Sequence, residues 1–251
     1  MQYKLVVAAL VAALNVPAAQ AGMFSGIEAG YAVDTNFNGA PAGGVKLEEN
    51  IQSYTAYLGH YAPSSSGHSA FIVKGDVQAN RLDETPVLDN NIYGVSVGSF
   101  HAFGRQNSMT TNLGARAKRF EDSRRDGEVY GVQLGFKQNL SRSFWFRQGL
   151  NGEYGTAKVK SSEYTGYGLS GSLNWKPFGA TLLNLGGAWN RRLYDTLAAD
   201  ERTGKQATLG VVQELGKHVY VRASATQLNN SANDGSEYDS TVYSAGLGLA
   251  F

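Results

Sequence analysis

Eleven charged side chains sit at alternate positions in runs that otherwise read apolar, small, apolar. They are Lys74, Arg116, Lys118, Lys137, Arg147, Arg192 and Arg222, against Glu28, Asp76, Glu153 and Glu214. Alternate residues of a strand share a face, so these charges group with the Gly, Ser, Asn and Gln around them. Two kinds of chemistry suit such a set. The charges can pair with one another: Glu214 and Arg222 flank one hairpin at diagonal reach, and Lys74 and Asp76 share a strand face. Alternatively the excess of cations, seven to four, can line a path for anions, because arginine stays charged and forks onto carboxylates or phosphates. Arg116, Arg147, Arg192 and Arg222 are then expected to set the preference.

Catalytic chemistry finds less to work with. The chain has four histidines, His60, His68, His101 and His218, all expected at the lower ends of strands or in the turns there. The outer connections carry paired carboxylates, Glu48 with Glu49, Asp83 with Glu84 and Glu121 with Asp122. These could do acid–base work without a histidine, though surface acids more often stay solvated or bind divalent cations and lipopolysaccharide. No HExxH, P-loop or GxSxG pattern is present. No cofactor, metal site or enzyme activity is expected, with an outer-membrane lipid A or phospholipid hydrolase as the least favoured alternative. The absence of cysteine leaves no disulfide framework. A net charge of +1 and the lack of a basic, aromatic-interleaved tract give no sign of a nucleic-acid partner.

The elements that must hold the charges are strands. Twelve alternating runs are legible, at 24–34, 50–62, 69–81, 90–103, 108–119, 128–139, 143–156, 163–175, 181–194, 205–215, 219–228 and 238–251. Tyr130, Val132, Leu134 and Phe136 alternate with Gly131, Gln133, Gly135 and Lys137. Tyr167, Leu169, Leu173 and Trp175 alternate with Gly168, Ser170, Ser172 and Asn174, and Leu183, Leu185 and Trp189 with Asn184, Gly186 and Asn190. The apolar set is expected to meet lipid and the polar set to line an interior. In the first two runs the tyrosines Tyr54, Tyr57 and Tyr61 occupy both faces. Phe144, Trp145, Phe146, Trp175 and Phe178 gather at strand ends, as an interfacial aromatic girdle does. Short connections follow even-numbered runs and longer, more polar ones follow odd-numbered runs. That rhythm predicts an all-β fold: a closed antiparallel transmembrane barrel of about twelve strands, both termini periplasmic. A mean hydropathy of -0.28 does not oppose it, since alternation keeps the average low.

Both ends of the chain fit this reading. Met1 to Lys4 is a short basic stretch, Leu5 to Leu14 an apolar run, and Ala19-Gln20-Ala21 a small-x-small site, together a signal peptide cleaved after Ala21. The apolar run is too short to span a bilayer, which takes about 20 residues. Residues 1–21 are therefore a leader and 22–251 one barrel domain. The last eight residues read polar-x-Gly-x-x-apolar-x-aromatic, carried by Ser244, Gly246, Leu249 and Phe251. This octet resembles the C-terminal assembly signal of bacterial outer-membrane β-barrels. In size and strand number the chain is also similar to the twelve-stranded channels for acidic oligosaccharides, a porin-like group with arginine-lined lumens. Gly30 to Phe37 resembles the first strand of a broad group of β-barrel porins. The resemblance implies a bacterial outer-membrane location and, as partners, outer-membrane lipid, lipopolysaccharide and the barrel assembly machinery.

Twelve strands enclose more space than the eight that side chains fill and less than the 16–18 of an open aqueous pore. The expected function is a narrow passive channel for small polar or anionic solutes. The alternative is a non-conducting structural barrel that uses loops such as Arg119 to Glu128 for surface contacts.

Overall fold

A sheet with one wet face and one greasy face cannot leave its edges unpaired in lipid, so it has to close on itself. The computed structural model describes residues 22–41, 43–104, 106–195 and 200–251; the candidate leader lies outside them. Twelve strands are present: β1 (Gly22–Asp34), β2 (Glu49–Pro63), β3 (Ser69–Leu82), β4 (Asn90–Phe103), β5 (Asn107–Phe120) and β6 (Gly127–Asn139). They continue as β7 (Phe144–Ala157), β8 (Tyr164–Phe178), β9 (Thr181–Tyr194), β10 (Glu201–Glu214), β11 (Val219–Ala232) and β12 (Glu237–Ala250). Each strand pairs antiparallel with its neighbours in chain order, and β12 returns to β1 to close the barrel. Beyond β12, the Ser25 amide donates to the Phe251 carbonyl at 3.0 Å, and the Phe251 amide donates to the Ser25 carbonyl at 2.8 Å.

The barrel has two distinct ends. At the lower end, which carries Gly22 and Phe251, the connections are the short segments 64–68, 104–106, 140–143, 179–180 and 215–218. At the upper end the first connection, 35–48, is the longest. Directly paired residues form rows that climb around the wall. One row leaves Gly26 low on β1, passes Tyr57, Asp76, Gly94, Arg116, Val129, Gly155 and Tyr164, and reaches Tyr194 at the top of β9. That stagger is what tilted strands in a closed barrel require.

The outward set is apolar and uncovered by protein: Leu113, Leu209 and Leu185 are exposed, as are Tyr130, Val132, Leu134 and Phe136. Tyr54 points out, whereas Tyr57 and Tyr61 point in and are buried. Outward tyrosines near the upper ends of β1, β2, β4, β6, β7 and β8 (Tyr31, Tyr54, Tyr93, Tyr130, Tyr154, Tyr167) form an upper ring. Phe144, Phe146, Trp175, Phe178 and Phe251 mark the lower one.

Trp145 corrects the sequence reading of that lower girdle. It pairs with Asn139 on the inner face, is only 6% exposed, and lies under the Lys137 ammonium at 4.9 Å. Three successive aromatics cannot share a face at period two, so the middle one had to turn inward. β10 and β11 also run further up than expected, to Glu201 and Ala232, leaving 233–236 as the last upper connection. Their top residues are polar on both faces, so hydropathy carries no alternation there.

Candidate channel interior

Several of the inward charges are tied into pairs. Lys74 bonds Asp76 at 3.2 Å, and its ammonium stands 5.6 Å over the Tyr57 ring. Arg222 pairs with Glu28, which also accepts the Tyr220 hydroxyl at 2.8 Å. Arg192 donates through Nε at 2.9 Å and Nη2 at 2.8 Å to Glu153 Oε1, with its guanidinium 4.6 Å from the Tyr164 ring. Glu214 takes Lys176 at 3.1 Å. Glu214 and Arg222 do lie on adjacent strands at diagonal positions, but each has another partner. The expectation that they pair is thereby overturned. Arg222 finds Glu28 beyond β12, because Gly246 and Gly248 leave the intervening inner face without side chains.

Four inward cations have no carboxylate at ion-pair distance among the described residues. Arg116 and Lys118 stand on the upper half of β5, and Lys137 and Arg147 on the lower parts of β6 and β7. Lys118 feels the fields of Arg192, Arg116 and Glu153. Lys137 and Arg147 are direct cross-strand partners, an arrangement of like charges that costs stability. Ser108 and Ser172 flank them in the same row. The unpaired positive charge is thus concentrated on one wall, β5 to β7, at two heights.

The same side of the interior is hollow. Gln133, Asn151 and Asn190 lie in one inward row with Gly168, and all three are solvent-exposed, as are Thr110, Ser170 and Arg116. Water therefore reaches the middle of the barrel along β5 to β9. Across the lumen, Tyr57 and Tyr61 are buried and fill the wall of β2. The upper connection 35–48 is held at the rim. Asn36 donates to the carbonyls of Ala40 at 2.9 Å and Asp239 at 2.7 Å, while Glu49 accepts from the Glu84 amide at 2.9 Å.

No family model and no curated protein matches the sequence. Solved structures do match the fold. An outer membrane channel from Pseudomonas putida F1 superposes with a TM-score of 0.68 at 10% identity, over 92% of this chain and 96% of that one. The KdgM porin in complex with disordered oligogalacturonate gives 0.55 at 10% identity, over 90% and 99%. The chain shares the closed antiparallel β-barrel fold of these two proteins. The β domain of the Bordetella autotransporter BrkA matches too, with a TM-score of 0.53 at 11% identity over 91% and 99%. The barrel fold therefore serves more than one role, and the site has to decide between them.

The barrel carries its histidines at the lower end. His101 Nδ1 lies 2.5 Å from Ser69 Oγ on the outer face, and His218 Nδ1 donates to the Ala250 carbonyl at 2.7 Å while its ring stacks on Phe251. No histidine has a carboxylate partner among the described residues, so the Ser69–His101 contact lacks the acid that would orient the ring as a base. Sequence reasoning missed Arg202, Tyr164 and Tyr194. Arg202 stacks over Tyr194 at 5.1 Å and bonds Asp200 at 3.1 Å. Only the upward extension of β10 makes Arg202 an inner-face neighbour of Arg192.

Proposed function

We propose that the chain is exported, loses residues 1–21, and works in the bacterial outer membrane as a narrow passive channel for small polar or anionic solutes. Its lower end faces the periplasm, where short turns belong. The barrel assembly machinery reads Ser244, Gly246, Leu249 and Phe251, and lipid with lipopolysaccharide surrounds the outer wall. The observation that carries the reading is the unpaired cation set Arg116, Lys118, Lys137 and Arg147 facing a hydrated row of amides. A lumen built only for stability would pair or remove these charges. Each acts strongly on a passing anion because little solvent screens it in a narrow passage. The KdgM porin, of like fold, was solved with a polyanionic sugar chain, which agrees with an anionic solute here.

Purified barrel in planar bilayers tests this. Discrete conductance with a reversal potential displaced toward the anion equilibrium supports it. Absence of conductance leaves the non-conducting surface barrel, a reading favoured by the exposed Val45 and Leu47 on the upper connection.

A further inference from the structure

The outer wall is not uniform. Among the described residues, β10 and β11 are the one neighbouring pair of strands with no outward Tyr, Trp or Phe. Where other strands carry the upper aromatic ring, this sector presents Lys205, Gln227, Asn229, Asp239 and Thr241. Below them the wall is made mostly of small residues, Ala207, Ala223, Ala225 and Ala245 among Leu209 and Val211, with Tyr243 of β12 as the one outward ring at its flank. Aromatic rings are favoured at a lipid interface, and their replacement by amides, a hydroxyl and opposite charges suits a protein neighbour. Small residues allow backbones to approach closely within a membrane, and polar side chains then bond across the contact.

The row Lys205–Asn229–Asp239 fixes which neighbour fits. Asn229 is directly paired with Lys205 on one side and Asp239 on the other. It donates to Asp239 Oδ1 at 2.7 Å, and Thr241 donates to Gln227 at 2.7 Å. Lys205 is exposed and has no acidic partner among the described residues. A two-fold axis along the membrane normal through β11 exchanges the two flanks, so each Lys205 meets Asp239 of the other copy. That is the self-complementarity an isologous contact requires. Lysine can extend toward the headgroups to reach the slightly higher carboxylate. We propose that the outer wall of β10 to β12 is the contact face of a two-fold dimer of this chain. The proposal rests on the outer-membrane placement above but not on conductance.

The chain has no cysteine, so Asn229→Cys places a single thiol near the axis and Leu134→Cys places one on a distant wall. Oxidation of outer membranes is expected to link Asn229→Cys chains into dimers several-fold more than Leu134→Cys chains. Lys205→Asp should reduce that cross-linking in the Asn229→Cys background, and adding Asp239→Lys should restore it. Heat-modifiability scored in the same membranes separates a chain that never inserts from one that inserts without pairing. Should Lys205→Asp fail to insert, the cysteine comparison decides alone. Equal cross-linking at the two positions overturns the proposal, as does a dimer indifferent to the charge exchange. So does an inserted monomer that carries a phosphorylated glycolipid in native mass spectrometry and loses it with Lys205→Ala.

Discussion

Glu153 and Arg192 bond at 2.8 Å although a whole strand separates them. Gly166 of β8 is paired with both residues, and its missing side chain opens the space in which they meet. A Cβ there would stand 3.0 Å from Glu153 Cγ and 3.3 Å from the Arg192 stem. The same construction recurs at the seam, where the Tyr220 hydroxyl reaches Glu28 over Gly248. Inward glycine in this barrel therefore helps decide which charges are neutralised and which remain unpaired.

Breaking the first pair should have two separable effects. Glu153→Gln leaves Arg192 uncompensated and adds a positive charge to the upper lumen. The pair is partly exposed, so we expect a stability loss of about 1–3 kcal/mol, between the limits for surface and buried pairs. Reversal potential in a salt gradient should move further toward anions. Gly166→Val, which crowds both partners, should cost a similar amount. Unfolding followed by the heat-modifiable gel shift in urea measures the first effect and bilayer recording the second.

The unpaired cations should behave in the opposite way. Arg116→Gln and Arg147→Gln are each expected to lower anion preference while costing little stability. Lys137→Met removes both the repulsion with Arg147 and the ammonium's contact with the Trp145 ring, opposing contributions of similar size, so stability should change by less than about 1 kcal/mol. Arg222→Gln differs, since it strands Glu28 and should weaken the fold. Equal effects of Arg222→Gln and Arg147→Gln on selectivity would contradict this division.

Deleting Phe251 removes the C-terminal aromatic, a stacked contact with His218 and both backbone bonds to Ser25. Loss of most heat-modifiable, membrane-inserted protein is expected, with the chain accumulating in the periplasm. Gly248→Val should fail in the same assay, because a Cβ at Gly248 overlaps the Tyr220 ring. Normal insertion of either variant would show that seam geometry does not limit assembly.

The strand count, the closure and the two faces of β6, β8 and β9 were legible because an apolar outer wall and a polar interior impose a period of two on every strand. Ion-pair partners were less so. A hairpin reading considers only adjacent strands, whereas Arg222 and Arg192 reach past a glycine to the next strand but one. The upper ends of β10 and β11 were hidden for another reason: above the apolar band both faces are wet, and no alternation survives to mark Arg202 as inward. Trp145 was misplaced because clustering outweighed parity, though parity alone puts it opposite Phe144 and Phe146.

The upper connection between β5 and β6 offers a pH test above the apolar band of the barrel. Asp126 accepts the Phe120 amide at 2.9 Å and the Lys158 ammonium at 3.1 Å, while Asp122 takes a two-point bond from Arg124 at 2.9 and 3.0 Å. Burial opposes ionisation of Asp126, but the Phe120 amide and Lys158 outweigh it and hold the carboxyl below the usual range. The Arg124 side chain likewise keeps Asp122 low. A carboxyl lowered in the folded state contributes stability above its unfolded value and loses it as pH falls through the folded one. Hydrogen-exchange protection of the Phe120 amide, corrected for intrinsic rate, should be flat from about pH 8 to 5 and fall only below the ordinary aspartate value of about 3.9. Asp126→Asn should lower that protection across the plateau, meet the parent's value once pH falls below the folded value of Asp126, and speed trypsin cleavage after the exposed Arg124 at neutral pH. Protection that already declines near neutral pH, or cleavage unaffected by Asp126→Asn, would mean that other contacts hold the connection.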